Sequence, residues 1–384
     1  MIWEELTCQL QSLASDNLLR RRRTLESACG PYAVIDGKPL LAFCSNDYLG
    51  LAAHPALKEA VAASARRWGT GSGGSHVVSG HMQPHEALEK ALAAFVGAER
   101  ALFYSTGYMA NIGVVPTLVG RGDAVFADRL NHASLIDAVQ LSRAEHRRYA
   151  HNDMAHLERL LAASTAKRKL ILSDAVFSMD GDLAPLAKLA ELAERYDAWL
   201  VIDDAHGFGV LGRHGRGSLD HAGLPFSPRL VYIGTLGKAA GVSGAFVAGS
   251  DTVIEWLMQR SRSYIFTTAS SPVLASAICA SLELVANGDD LRSHLQALIA
   301  RLQNGLSGSR WKLLPSFTAI QPVVVGENDA VLKVSEGLRD RGIWVPAIRP
   351  PTVPAGSARL RISLSAAHTE EQVDTLVQAL RELA

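Results

Sequence analysis

The chain has 384 residues, 48% apolar and 20% charged, a globular composition that excludes disordered and collagen-like classes. Lys plus Arg and Asp plus Glu number 38 each, so the formal charge is zero and nucleic-acid binding is not expected. The four cysteines are scattered without a CxxC pair, which argues against a disulfide framework or a zinc site and suits a reducing compartment.

The first 25 residues read as helix and end in the basic run Arg20-Arg21-Arg22-Arg23, a combination the helix macrodipole favours. The start, Met-Ile-Trp-Glu-Glu, is acidic where a signal peptide is basic. The best apolar run, Val273 to Ala286, is broken by Ser276, Ser281 and Glu283 and falls short of the roughly 18 residues of a membrane span. A soluble, cytoplasmic protein without membrane association is expected. The segment Gly69–Gly80 is rich in glycine but lacks the GxGxxG order of a dinucleotide loop. His81 and His85 are four apart on a predicted helix face. No third ligand is apparent and HExxH is absent, so no metal site is expected.

From about residue 100, short apolar runs alternate with helix-length segments. The runs are Ala101–Tyr104, Ala124–Ala127, Leu170–Leu172 extending to Phe177, Trp199–Ile202, Leu230–Ile233 and Ala245–Ala248. Continuous apolar strands separated by helices predict an α/β fold with a mostly parallel sheet covered on both faces. Ligands of such sheets sit beyond the carboxyl ends of the strands. The last hundred residues predict a smaller α+β domain. Leu291, Leu295, Leu298, Ile299, Leu302 and Leu306 keep helical spacing, Ala358–Leu364 alternates like a half-buried strand, and Thr369-x-x-Gln372 has the form of a capping box. The predicted boundaries are 1–45 for an N-terminal segment, 46–288 for a large domain and 289–384 for the C-terminal domain.

Reactive residues collect after the predicted strands. Asp203-Asp204-Ala205-His206-Gly207 follows one of them, and a carboxylate at a buried strand end needs a partner. Gly234-Thr235-Leu236-Gly237-Lys238 follows another. Tyr232 stands where a Walker A loop needs its first Gly, so this is not a P-loop. A lysine among small residues in a partly apolar pocket can lose its proton and attack an aldehyde, though a lysine in a turn is equally an ordinary surface residue. Ser105-Thr106-Gly107-Tyr108 opens a helix, which is a phosphate cradle or simply an N-cap. Asn131-His132-Ala133-Ser134 follows a further strand. No GxSxG elbow is present, against an α/β-hydrolase. A phosphate site, a carboxylate and a lysine are together what pyridoxal phosphate requires.

These residues resemble the α-oxoamine synthases, a family of fold-type I pyridoxal-phosphate transferases. The carriers are Ser45-Asn46-Asp47-Tyr48-Leu49-Gly50-Leu51, Gly71-Ser-Gly-Gly-Ser75, Asn131-His132-Ala133-Ser134, Val176-Phe-Ser-Met-Asp-Gly-Asp182, Asp203-Asp204-Ala205-His206-Gly207 and Thr235-Leu-Gly-Lys-Ala239. The resemblance runs from about Arg20 to the C-terminus. Within the family, Ile348-Arg349-Pro350-Pro351-Thr352 with Ala358-Arg-Leu-Arg361 and Ala366-Ala367-His368 is similar to the biotin-pathway branch. His76 stands after the Ser where relatives have Arg or Gly, and its role is open.

The resemblance implies pyridoxal 5'-phosphate as cofactor, with Lys238 attached to it as a Schiff base. It implies Asp203 at the pyridine nitrogen, His206 at the ring oxygen and His132 against the ring face. Gly107, Tyr108 and Thr235 are expected around the phosphate and ring end, and Ser178 near the cofactor oxygen. Arg20, Arg349 and Thr352 are expected at substrate carboxylates. A homodimer with the site at the subunit interface is implied, in which Thr267 or Thr268 reaches the partner's phosphate. The implied reaction is decarboxylative condensation of L-alanine with a pimeloyl thioester of coenzyme A or acyl-carrier protein. Sister enzymes using glycine or serine share most motifs; the Arg-Pro-Pro-Thr stretch discriminates against them. The complete reactive set speaks against a pyridoxal-phosphate protein without catalysis.

Overall fold

The continuously apolar runs enter one sheet buried on both faces. In the computed structural model, which describes residues 2–20 and 22–384, seven strands form it in the order Arg100–Tyr104, Ala245–Gly249, Leu230–Thr235, Ala198–Asp203, Lys169–Asp174, Ala124–Asp128, Glu145–Tyr149. The last five are mutually parallel, and Ala245–Gly249 runs antiparallel to both its neighbours. Side chains alternate between two cores, as a two-residue period requires. Ile171, Leu200, Ile202, Tyr232 and Phe246 pack on one face against Leu88, Leu92, Leu189 and Ile278. Leu170, Leu172, Val201, Val231 and Val247 pack on the other against Val114, Val115, Leu135 and Ile254.

Two departures from the sequence expectations have simple causes. The Leu170 run ends as a strand at Asp174, and Val176 makes only an isolated bridge to Leu183. The edge strand Glu145–Tyr149 (EHRRY) was not expected, because an edge strand with polar side chains carries no apolar run.

This sheet belongs to the unit Leu49–Ser178 plus Leu183–Arg292. The second unit gathers Met1–Tyr48, Met179–Asp182 and Ser293–Ala384. Its helix Ile2–Ser15 stops short of the basic run, because the chain turns at Asn17 with φ 56°. Arg20, Arg22 and Arg23 therefore lie outside any helix and are exposed, and Arg21 falls outside the described residues. A four-stranded sheet contains Ala358–Ser363, and every residue of that strand is buried rather than alternately exposed. Its arginines are accommodated by partners: Arg359 pairs with Asp180, and Arg361 donates to Asn46 Oδ1 at 3.2 Å and Ser363 Oγ at 2.8 Å. The helices Asp289–Leu306 and Glu370–Glu382 follow the predicted spacing. Thr369 and Gln372 close the capping box, with Thr369 N donating to Gln372 Oε1 at 3.0 Å and Gln372 N to Thr369 Oγ1 at 3.3 Å. Among the described residues no helix is long and apolar enough to cross a membrane.

Candidate active site

The carboxyl ends of the parallel strands gather the polar residues of the sheet-bearing unit. Asp203 is the last residue of the strand Ala198–Asp203, in register with Asp174 at the end of Lys169–Asp174. Both are buried. Asp203 Oδ1 accepts from Ala205 N at 3.0 Å, and Oδ2 accepts from Asn111 Nδ2 at 2.7 Å. Asp174 Oδ2 accepts from His132 N at 2.7 Å. Burial first, and the Asp203 carboxylate next, push Asp174 well above the usual carboxylate range. Two like charges so close do not both ionise easily.

Asn111 is the residue the sequence did not single out. It lies in the helix Gly107–Leu118, a buried amide in an otherwise apolar stretch. Its Nδ2 donates both to Asp203 and to Ser134 Oγ, the latter at 2.8 Å. Ser134 Oγ lies 2.7 Å from His132 Nδ1, which also accepts from Ser134 N at 3.3 Å. Donor counting fixes the chain. The amide nitrogen only donates, so the serine hydroxyl gives its proton to His132 Nδ1 and the imidazole keeps its own on Nε2. His132 is exposed on one side, yet burial by its surroundings lowers its pKa, with Lys238 adding to the effect against the pull of Asp203. A lone buried Asn amid GYMA and IGVVP was the available signal, since a buried polar group needs partners.

Lys238 follows the strand Leu230–Thr235, and its Nζ lies 3.1 Å from His206 Nε2. Thr235 Oγ1 donates to Ala205 O at 3.2 Å, tying the lysine segment to the Asp203–Gly207 turn. The helix Gly107–Leu118 starts beside it, and Thr106 caps it by accepting from Met109 N at 3.1 Å. The N–H groups of Gly107 and Tyr108 therefore have no intrahelical acceptor. A Cβ on residue 107 would lie 2.9 Å from Thr235 Cγ2, so glycine keeps that approach open. Tyr108 donates to Asp137 Oδ2, which raises the phenol's pKa.

The fold thus brings together Lys238, His206, Thr235 and Gly107, and links Asp203 to His132 through Asn111. Ser178 is half-buried just after the Asp174 strand end. Thr267 and Thr268 sit in a segment pinned to the glycine-rich loop by Ser72 Oγ to Ala269 O at 2.6 Å and Ala269 N to Gly74 O at 2.9 Å. Arg20, Arg349 and Thr352 belong to the other unit. There Arg349 donates to Asn17 O, and Thr352 N to Arg349 O at 3.1 Å.

The residues present fit pyridoxal phosphate. A buried carboxylate, a lysine with an imidazole beside it, an exposed imidazole and open helix-start N–H groups match its ring nitrogen, aldehyde, ring face and phosphate. Asn111 Oδ1 is a further buried atom without a protein partner.

Residues 38–380 match the family model for aminotransferase class I and II. The chain is 67% identical to the 8-amino-7-oxononanoate synthase of Herminiimonas arsenicoxydans, covering 99% of each. It is 62% identical to that of Dechloromonas aromatica over 100% of each. The chain belongs to the α-oxoamine synthase family. Solved structures of the family superpose on it closely. The serine palmitoyltransferase of Sphingomonas wittichii aligns with TM-score 0.92 at 31% identity, over 99% of this chain and 96% of that one. The 8-amino-7-oxononanoate synthase of Francisella tularensis aligns with TM-score 0.78 at 30% identity, over 89% and 97%. The fold is that of fold-type I pyridoxal-phosphate transferases, and the family's cofactor is the one the site fits.

Proposed function

We propose that this chain condenses L-alanine with a pimeloyl thioester to give 8-amino-7-oxononanoate, carbon dioxide and the free thiol, a step of biotin synthesis. The observation that carries it is the 67% identity, over the whole chain, to a synthase of that product, joined to an intact Lys238–His206–Asp203 set. Bound pyridoxal phosphate supplies an aldehyde for the amino group and a conjugated ring that accepts the electron pair released at Cα.

The chain's own residues do the rest. Asp203 holds the proton at the ring nitrogen, because a neighbouring negative charge favours the charged form. Asn111 keeps that carboxylate oriented. Lys238 Nζ takes the Cα proton of alanine and later returns one, with His206 Nε2 steadying the amine. His132 offers an imidazole face against which a flat ring packs. Gly107 and Tyr108 would offer N–H groups to the phosphate, Thr235 would line the same end, and Ser178 would serve the oxygen side. In the reaction a bond forms between alanine Cα and the thioester carbonyl carbon, the C–S bond breaks, and the thiolate takes a proton. The alanine carboxylate then leaves as carbon dioxide, and Cα is reprotonated.

Arg349, whose planar fork suits a carboxylate, together with Arg20 and Thr352, is assigned to substrate carboxylates on the family resemblance. The same resemblance supports a homodimer with Thr267 or Thr268 serving the partner's phosphate. Coenzyme A and acyl-carrier protein both remain carriers compatible with the chain. Cytoplasmic location fits the scattered cysteines.

The test is a visible-absorbance titration of the purified holoprotein with L-alanine, glycine and L-serine in separate runs. The band is expected to respond to alanine at the lowest concentration. A stronger response to glycine or serine would move the assignment to a sister enzyme. A protein that stays colourless after addition of pyridoxal phosphate would remove Lys238 from the account.

A further inference from the structure

Outside the site described above, the glycine-rich segment gathers three imidazoles. His76 opens a single π-helical turn, His76–Gly80; His81 follows it, and His85 lies in the first turn of the helix Gln83–Val96. Sequence spacing paired only His81 with His85. The π-turn adds His76, because Gly80 N donates to Ser75 O, five residues back, at 2.8 Å. Gly80 is obligatory there, since a Cβ would lie 2.0 Å from Gly74 O. Ring nitrogens of the three histidines all lie within 4.8 Å of one another.

Hydrogen-bond counting decides which nitrogens hold lone pairs. His85 Nδ1 accepts from Met82 N at 3.0 Å, and its Nε2 lies 2.7 Å from Ser270 O. It is therefore committed on both sides and forms a wall of the cluster. His81 Nε2 lies 3.2 Å from Glu86 Oε2. The other oxygen of Glu86 pairs with Lys90 Nζ at 2.8 Å, so the carboxylate accepts and His81 keeps its proton on Nε2. The Nδ1 lone pair of His81 then faces His76 Nδ1 at 2.9 Å. His76 is stacked on Tyr264, centroids 4.7 Å apart and planes 8° off parallel, so its ring orientation is fixed.

Two imidazoles turned Nδ1 to Nδ1 share one proton, and a cation can take its place. At metal–nitrogen bonds of about 2.0–2.1 Å, two cis nitrogens at a right angle stand about 2.9 Å apart, and at a tetrahedral angle about 3.4 Å. The observed separation is that of an N–H···N hydrogen bond and equals the nitrogen spacing of the right-angle case, which tetragonal Cu2+ and Ni2+ prefer, so such a cation replaces the proton with little movement of the rings. Glu86 behind His81 supplies the outer carboxylate that fixes the tautomer of a metal-bound imidazole. We propose that His76 and His81 form a two-imidazole site for a divalent transition cation of the Cu2+ or Ni2+ type, oriented by Glu86 and completed by water. Both ligands flank the π-turn, so an occupied site clasps it closed.

The experiment uses tag-free holoprotein stripped of metal with a chelator and titrated calorimetrically with Ni2+ and, separately, Cu2+. Wild type should bind one equivalent saturably, with imidazole-nitrogen hyperfine structure in the Cu2+ electron paramagnetic resonance spectrum. His81→Ala should lose that equivalent, and Glu86→Gln should weaken it about 10- to 100-fold, the usual cost of an outer-shell partner. Both positions are partly exposed, so the fold tolerates these changes. His214→Ala, at an exposed histidine elsewhere, should bind as wild type does. Absence of a saturable equivalent in wild type, or unchanged binding in His81→Ala, would overturn the site.

Discussion

Three hydrogen bonds join Asp203 to His132, and every one passes through Asn111 or Ser134. Removing the amide leaves a buried carboxylate oxygen short of a donor, a loss of about 1–3 kcal/mol. If that loss falls on the reacting state, Asn111→Leu should lower kcat by about tenfold to a hundredfold, at about 1.4 kcal/mol per decade. The same variant should move the pH midpoint of the cofactor's visible band, a signal that a merely looser helix would leave in place. An unchanged rate and midpoint would show that Asp203 orients itself. Lys238→Ala removes the group assigned to the Cα proton. Its turnover should fall by at least about 10²–10⁴-fold, the range of general acid–base catalysis, with the far-ultraviolet circular-dichroism spectrum unaltered. Near wild-type turnover would exclude Lys238 from proton transfer.

Elements carry the site by where they end. The helix start at Gly107 meets Thr235 so closely that Gly107→Ala pushes a methyl into Thr235 Cγ2. Cofactor affinity of the apoprotein should drop by about tenfold or more, a cost of about 1.4 kcal/mol or above, read by fluorescence titration. Affinity equal to wild type would mean that the helix start does not hold the phosphate.

Asp204, one residue beyond its strand, nails the following turn to the next strand. It accepts from Ser218 N at 2.6 Å and Tyr232 OH at 2.8 Å. Burial raises its pKa from 3.8 to about 6 despite these bonds. The folded state then binds the proton more tightly than the unfolded state. The stability this confers is complete below about pH 4 and is lost as pH rises through about 6. The difference amounts to about 3 kcal/mol at 1.4 kcal/mol per unit. Asp204→Asn lacks this dependence, so its denaturation midpoint should improve relative to wild type between pH 4 and pH 7. Parallel pH profiles would contradict the burial argument.

Element type was legible wherever apolar periodicity was strong. It failed at Glu145–Tyr149, an edge strand in which every side chain but that of Tyr149 meets solvent, and at Arg359 and Arg361, whose burial depends on Asp180 and Asn46, far away in sequence.

At the scale of the whole molecule, the chain divides into units that sequence order does not respect. Four residues, Met179–Asp182, leave the sheet-bearing unit to join the other. There Gly181 O accepts from Ser316 Oγ at 2.9 Å and Thr318 Oγ1 at 3.1 Å. Such a crossing has no local signature, because both partners lie more than 130 residues away. The candidate site residues could be singled out for the opposite reason. Lys238, Asp203, His206 and His132 each follow an apolar run, and the parallel topology turns that shared position into proximity. Asn111 was not, because it acts through other side chains and sits inside a helix. His76 was not, because a π-turn rather than helical spacing brings it to His81.

The central claim is the reaction itself. The most direct measurement is mass-spectrometric analysis of products after incubating the holoprotein with pimeloyl-coenzyme A and L-alanine, glycine or L-serine in parallel. The account predicts 8-amino-7-oxononanoate and free coenzyme A with alanine, no such product without it, and at least about a hundredfold less from Lys238→Ala. Release of coenzyme A with glycine or serine in preference to alanine, or none with any amino acid when pimeloyl-acyl-carrier protein also fails, would contradict it.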